Sequence, residues 1–551
     1  MTSTTFVTAF YGDCNINREL IEHFRRIAET GINICIYSDC DRAIFDDYSN
    51  VKIMAPFTSV VSNIYANGDG SWPIEQNDNS EYFINLNSKP ELIENAIKIN
   101  PWNSTHFAWI EFSIFSIFNN YSESQTYLKT LASRTLCSRF LAIPGWLKNK
   151  AEIYEFDEGF SSIRWRFLDK FLIGDKESLL EMATLTKQYF PMFLRTYKTL
   201  TWEVNFWNWL ETFTGWNPIW YYATFDDSVI KIPSWLYSIS LCDISIKQLY
   251  DYPSVIDETQ YYETSASYIF FQGRHILNTR FVNYFLLEGG QYYMANKKGF
   301  IITKNMVSLL DAVKMNPICY NVFSNDTVGL EEPAYPENQG CNIYGLEDIR
   351  LYEYNNQLRF IATNRNYAPI YKNRMVVGDY NIENLSYDNC QLIESPYNSQ
   401  YEKNWIPICY NGEECFIYSW YPMYIYRLNL ETSSLIPVCR HLNTITAPNF
   451  YRVRGSSTFV ELGDVLIGVV HFSEETVPRQ YHHMLVSLEK HTYKPLRYSE
   501  TFYFQYIGVE FCTGFCVKDN NYMFWVSKKD RNACKITVGI DKLPMCFMFE
   551  S

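Results

Sequence analysis

The chain has 551 residues, more than a single hydrophobic core usually organises, so its length points to two or three domains. Hydrophobic residues make up 47% and charged residues 20%, a globular balance that excludes a disordered chain. The net charge of −14, without any basic run, excludes a nucleic-acid surface, and no apolar stretch approaches the ~18 residues of a membrane span.

Aromatic content is high at 17%, with 44 Tyr and 14 Trp, which fits either compositional drift or aromatic faces that stack on sugar rings. The 15 cysteines are scattered without a Cys-x-x-Cys pair. Together with the absence of a leader at the N-terminus, they are expected to be free thiols in a reducing, cytoplasmic compartment.

In chain order, Phe6–Phe10 reads as a strand. Arg18–Thr30 follows as a helix, with Leu20, Ile21, Phe24 and Ile27 on one face and Gly31 as its stop. Ile32–Tyr37 reads as a second strand, which completes a βαβ unit with a parallel pair. Helical periods return at Lys89–Asn100, Lys176–Gln188 and Thr201–Thr212.

Three polar positions stand out in this half. Tyr37-Ser-Asp39 ends a strand, where α/β sheets bind ligands; a capping aspartate is the plainer reading of Asp39. Phe107–Ser113 is an apolar strand with one carboxylate, Glu111, which needs a partner such as a metal–diphosphate unit unless it faces solvent. Glu203 sits among Trp202, Trp207 and Trp209, where an aromatic setting raises a carboxylate's pKa and suits a base; core tryptophans on an amphipathic helix are the plainer reading. Asp226-Asp227, after Trp220-Tyr-Tyr222, is a candidate second acidic site, with a solvated loop as the plainer reading.

After about residue 250, short β-branched and aromatic runs replace the helices. Examples are Leu358–Thr363, Glu414–Trp420, Val465–Val470 and Tyr522–Ser527. Hairpin turns are expected at Asn355-Asn356, Asn411-Gly412 and Asn520-Asn521. Strands recurring over ~300 residues predict a barrel, sandwich or small propeller. Gly345-Leu-Glu-Asp-Ile-Arg350 packs Glu347, Asp348 and Arg350 into one turn before a strand: Arg350 would hold one carboxylate while the other faces a sugar oxygen, unless the group is a structural salt bridge. Lys403, Arg454 and the histidines, among them His471 and His482, would suit a phosphate pocket.

The order of these N-terminal stretches resembles the HtrL/YibB family of glycosyltransferase-like proteins. The matching residues are Phe6-Val-Thr-Ala-Phe-Tyr11 with Arg18, Ile36–Asp39, Asn87-Ser-Lys89, Thr105–Glu111, Trp165–Phe167, Ile173–Lys176 and Leu200–Trp207. The resemblance implies a GT-A-type nucleotide-diphospho-sugar fold over residues 1–245. Tyr11, Arg18, Tyr37, Asp39, Lys89, Trp109 and Trp202 would then contact substrate, Glu203 would be catalytic, and Glu111 and Asp227 would hold Mn2+ or Mg2+. The chain departs from the family pattern at Glu111, where the family has Asp, and at Asp169-Lys170, where it has two glycines.

Roughly residues 265–545, within an expected domain of 246–551, resemble the five-bladed β-propellers of inverting mannoside phosphorylases and related mannosyltransferases. The resemblance rests on Glu347-Asp348-x-Arg350, Lys403-Asn404, Arg454, His482, Ile507–Phe511 with Glu510, and Asp530-Arg531. Arg280–Tyr284, which contains Asn283, and Asn364 also fit. It implies that Asp348 is a general acid. Ile349 stands where the phosphorylases usually have Pro.

The resulting expectation is a multidomain protein, α/β then all-β, that acts as a glycosyltransferase. It would move sugar from a nucleotide-sugar donor to a glycan acceptor and carry a second glycan site in the propeller. The alternatives are a glycoside phosphorylase or hydrolase with a degenerate N-terminal domain, and a non-catalytic glycan-binding scaffold.

Overall fold

A computed structural model describes residues 4–12, 18–40, 42–66, 80–152, 156, 162–256, 258–287, 289–294, 300–332, 343–369, 371–444, 447 and 449–549. The chain divides into two compact units, Met1–Tyr237 and Ser238–Ser551.

The first unit is an α/β layer structure. Its strands are β1 (Thr4–Phe10), β2 (Ile34–Ser38), β3 (Val51–Ile53), β4 (His106–Ile110), β5 (Leu141–Gly145), β6 (Phe171–Asp175) and β7 (Ile219–Tyr222), in the order β3-β2-β1-β4-β6-β5-β7. Neighbours are parallel except that β6 runs antiparallel to both β4 and β5. Alternation along β4 splits its side chains between two apolar layers. Ala108 and Ile110 pack with Phe24 and Leu128, while Phe107 and Trp109 pack with Leu92, Phe193 and Trp207.

The helix predicted from Arg18 is observed over Arg18–Ala28, and Gly31 follows at φ 75°. The helix predicted to end at Gln188 continues to Tyr197, because Leu179, Met182, Phe190, Phe193 and Leu194 keep one face buried beyond the polar residues that suggested an end. The Trp-rich stretch is the helix Glu203–Phe213, with Trp207 and Trp209 in the core. Glu111 lies one residue past β4 rather than within it. Because β6 is antiparallel, its leading residues Asp169 and Lys170 reach the same sheet edge, where Glu111 N–H donates to Lys170 O at 2.9 Å.

The second unit is all-β and propeller-like. The first blade runs through Tyr262–Phe271, Arg274–Val282, Ile301–Leu310 and Pro317–Val322. The second runs through Glu347–Tyr354, Gln357–Asn364, Arg374–Asn381 and Ser386–Ile393, and the third through Ile406–Tyr410, Glu413–Trp420, Met423–Asn429 and Ser434–His441. The fourth contains Glu510–Lys518, Asn521–Lys528 and Arg531–Gly539, with Ile246–Leu249 as its outer strand. Between the third and fourth stands an eight-stranded sheet built around Val465–Glu474 and Gln480–Glu489. The expected five regular blades are therefore four blades and this larger sheet, since short extra strands pair onto both sides of it. The inner strands pack in sequence, and the first also touches the last, so the sheets form a ring.

Tight turns set the registers. Asn355 and Asn356 both have positive φ between paired Tyr354 and Gln357, and Asn411-Gly412 does the same between Tyr410 and Glu413. The last expected turn falls one residue earlier, at Asp519-Asn520, because Asn521 already pairs with Lys518. No helix among the described residues is long and apolar enough to cross a membrane. Cys40 is disulfide-bonded, which corrects the free-thiol expectation there; the other described cysteines are free.

Candidate functional site

The inner strands of the second unit begin around one polar cavity of about 220 Å³. Ser265, Glu347, Asp348, Lys403, Asn404 and Arg454 come from, or just precede, the inner strands of successive sheets. Arg280, His471, Tyr481 and Asp530 reach in from strands or turns further out. A larger cleft, about 830 Å³, opens at the opposite ends of the same inner strands. It carries none of the expected residues.

Backbone geometry presents the acidic groups. Asp348 has φ 51° at a break in the register between Glu347 and Arg350, a bulge that turns the chain at the cavity rim. Asn404 and Asp530 also occupy the left-handed region, at φ 64° and 52°. For Asp530 this is the ordinary geometry of a two-residue hairpin turn between paired Lys528 and Arg531, whereas Asp348 takes it at the start of a strand. Gly345 precedes them at φ 93°, and a Cβ there would meet Thr303 O at 2.2 Å. A side chain at that position would displace the whole Glu347-Asp348 turn.

Asp348 Oδ1 accepts from Ser265 Oγ at 2.9 Å and from Arg280 Nη1 at 3.1 Å. Arg280 Nη2 lies 3.3 Å from Glu347. Burial pushes the Asp348 carboxyl up, but Arg280, Lys403 and Arg350 outweigh it and hold the group below the usual carboxylate range. Asp530 takes the opposite course. Burial, helped by the Asp348 and Glu347 charges, raises it despite Arg280. Tyr284 Oη donates to its Oδ2 at 3.3 Å. The cavity therefore holds two aspartates whose proton affinities are pushed apart, the usual way to separate acid and base roles.

Lys403 and Arg454 line the other side, and neither makes an ion pair among the described residues. His471 stands with them but is neutral: burial, then Arg454 and Arg350, push it down to about 3.

Arg350 does not line the cavity. It lies fully buried beneath it, donating from Nε to Ser456 O at 2.8 Å and from Nη2 to Asn404 Oδ1 at 3.0 Å. It locks the floor instead of holding a carboxylate for sugar. Asn283 binds the backbone of Phe300 and Ile302, and Asn364 that of Gly345 and Tyr367. Glu510 accepts from the amides of Phe504, Gln505 and Tyr506. His482 is buried against Phe472 and bonds Ser238 Oγ at 3.0 Å. These five expected substrate residues are placed as supports. Ser265, Tyr292, Arg479 and Tyr481, which the sequence did not single out, do line the cavity.

In the first unit Lys89, Glu111 and Glu203 gather with Asp169 in a closed charge cluster, and the other expected residues lie apart from it. Lys89 Nζ donates to Glu203 Oε1 at 2.5 Å and lies 3.6 Å from Glu111 and 3.8 Å from Asp169. It also sits 5.2 Å from the Trp109 ring. Burial alone would lower Lys89, yet the three carboxylates raise it, so it stays charged. Glu203 is raised chiefly by burial. Asp169 and Lys170 pair at 3.1 Å beside this cluster. Tyr37 is buried, with Oη donating to Leu92 O and Asn95 Oδ1. Asp39 accepts from Gly12 N–H at 3.2 Å, and Tyr11 and Arg18 are exposed. Trp202 packs edge-on to Phe83. Asp227 accepts from Asn119 N–H, Asn120 N–H and Ser124 Oγ. Glu111 and Asp227 thus keep separate partners, and among the described residues no three His, Cys, Asp or Glu side chains are arranged so that they could hold a metal ion.

No family model matches the chain, so none supports the HtrL/YibB-type resemblance, and no curated protein matches it. Solved structures that resemble it include a β-1,2-mannobiose phosphorylase from Listeria innocua, at 11% identity and TM-score 0.34, over 53% of this chain and 94% of that one. Another is MPT-4, a mannose phosphorylase from Leishmania mexicana, at 12% identity and TM-score 0.32, over 56% and 94%. A third belongs with the GH130 family of mannoside phosphorylases and hydrolases, at 8% identity and TM-score 0.31, over 51% and 86%. These neighbours process glycosides, and in the first unit Glu111 and Glu203 are tied to Lys89 while Asp39 and Asp227 accept from backbone N–H groups. The expectation of a nucleotide-sugar-dependent glycosyltransferase is corrected accordingly.

Proposed function

We propose that the second unit is a glycoside phosphorylase. The observation that carries this reading is one cavity that holds two aspartates, Asp348 and Asp530, together with two cations, Lys403 and Arg454, that no described carboxylate meets at ion-pair distance. Inorganic phosphate would sit against the cations, since an anion there would meet donors that no protein carboxylate contacts directly. The Asp348–Asp530 pair would give a proton to the bridging oxygen. A phosphate oxygen attacks the anomeric carbon as the bond to that oxygen breaks, leaving a sugar 1-phosphate and a free hydroxyl on the leaving sugar. The carboxyl regains its proton from solvent. Hydrolysis would need no such pair of cations.

The order of the first unit's sheet, with apolar layers on both faces, supports a GT-A-like architecture for it, in a non-transferring role. A divalent cation at Glu111 would compete with Lys89, and one at Asp227 with the Asn119 and Asn120 amides.

The test is release of sugar 1-phosphate from a panel of mannosides and other glycosides. Turnover that depends on phosphate and is lost in Asp348→Asn supports the reading. Release of free sugar at the same rate without phosphate overturns it.

A further inference from the structure

The cavity has a direction, and it points to a leaving-group platform. Around the ring, Lys403 and Asn404 belong to the third blade, and Arg454, His471 and Tyr481 to the eight-stranded sheet. Asp348 belongs to the second blade and the Asp530 turn to the fourth. These two flank the first blade, which lies across the cavity from the cations and supplies Ser265, Arg280, Tyr284 and Tyr292.

Tyr284 and Tyr292 come from a separate two-stranded hairpin, Tyr284–Leu286 with Tyr292–Met294, inserted between two strands of the first blade. The hairpin is pinned to the fourth blade. Leu286 N–H donates to Lys529 O at 3.4 Å, Tyr284 bonds Asp530, and the Arg531 guanidinium lies 4.6 Å from the Phe285 ring. Tyr284 is buried, whereas Tyr292 lines the cavity yet is 58% exposed, its ring 5.2 Å from that of Tyr284. A large aromatic face is thus held open to solvent at the rim of a polar hole by a buried aromatic neighbour.

In a single displacement the attacking and departing oxygens lie on opposite faces of the reacting carbon. If phosphate binds at Lys403 and Arg454, the departing sugar leaves toward the first blade. We infer that Tyr292 is the platform on which the leaving-group sugar stacks, and that it sets the glycan chosen on that side of the cleaved bond. The inference rests on the phosphorylase reading for its direction. The cavity of about 220 Å³ suits one sugar ring with its phosphate, so the next ring must lie over the rim.

The experiment compares wild type, Tyr292→Ala and Tyr292→Phe in the full chain. For a disaccharide, Tyr292→Ala is expected to raise KM roughly tenfold, the scale of losing one apolar contact, with kcat and the phosphate KM within about twofold. Tyr292→Phe should restore the disaccharide KM, and a methyl glycoside, which has no leaving sugar, should not distinguish the three proteins. Equal disaccharide KM values in wild type and Tyr292→Ala, or a loss shared by the methyl glycoside, would overturn the assignment. If wild type turns over no glycoside with phosphate, the phosphorylase reading fails by itself. Calorimetric binding of the same oligosaccharides then decides: weaker binding to Tyr292→Ala supports the platform, and equal or no binding to wild type overturns it.

Discussion

The Arg280 guanidinium donates to the Asp348 carboxylate at 3.1 Å, and both groups are almost wholly enclosed. This contact sets the ionisation of the acidic side of the cavity, because the same arginine also faces Glu347 and lowers Asp530. Replacing Arg280 by Gln removes the charge that offsets burial, so the aspartate pair should hold its proton to higher pH. The alkaline limb of the rate–pH profile is expected to move up by about one unit or more, measured on whatever activity remains. An unchanged limb would mean that Arg280 does not govern the acid.

Lys403→Ala and Arg454→Ala test the anion side. Each removes a cation without leaving a protein carboxylate unpaired, so folding should be little affected. Each variant should raise the phosphate KM roughly tenfold or more, the value of a charge-assisted hydrogen bond. The glycoside KM should change far less. Equal effects on both substrates would argue that the cations bind sugar.

The buried histidines predict how stability follows pH. His471 is pushed down to about 3, His482 to about 4 and His483 well below its ordinary value, in each case mainly by burial. All three are neutral in the fold, whereas in the unfolded chain they take up protons below about pH 6.5. Their contribution is complete above that pH and is lost as pH falls, by up to about 1.4 kcal/mol per pH unit for each group. Glu510 acts in the opposite sense. Burial raises it to about 7, so its contribution is greatest below the unfolded value near 4.5 and fades as pH rises through 7. Removing one of the histidine rings isolates its share: any fall of the denaturant midpoint between pH 6.5 and 5 should be less steep in His482→Gln than in the wild type. An identical pH dependence in the two proteins would contradict the burial assigned to this ring.

In the first unit, Lys89→Met should destabilise by about 3–5 kcal/mol, because it leaves Glu203 buried beside Asp169 without a cation. Adding Glu203→Gln removes the stranded charge and should recover a good part of the loss. Urea unfolding of the single and double variants measures this. A double variant as unstable as the single one would show that Lys89 matters through packing on Trp109.

The sequence made half of the cavity legible. Glu347, Asp348, Lys403, Asn404 and Arg454 are polar residues at the starts of apolar strands, where a charge is conspicuous. Arg350, Glu510 and His482 look the same in sequence but serve backbone amides and carbonyls, and only three-dimensional partners separate the two roles. Tyr292 and Asp530 are harder to read because tyrosine is common in this chain and Asp530 sits in an ordinary hairpin turn; Asp530 belongs to a stretch that fits the propeller pattern but carries no role there. The βαβ start was readable from periodicity. The antiparallel β6, which brings Asp169 and Lys170 to the edge beside Glu111, depends on pairing between distant segments.

The outer strand of the fourth blade, Ile246–Leu249, precedes every other blade strand in the chain, yet it pairs with Arg531–Gly539. The ring is fastened by a clasp whose halves lie almost three hundred residues apart. Pulling on either half strips hydrogen bonds from the sheet that carries Asp530, so damage far from the cavity in sequence would reach its acidic side directly.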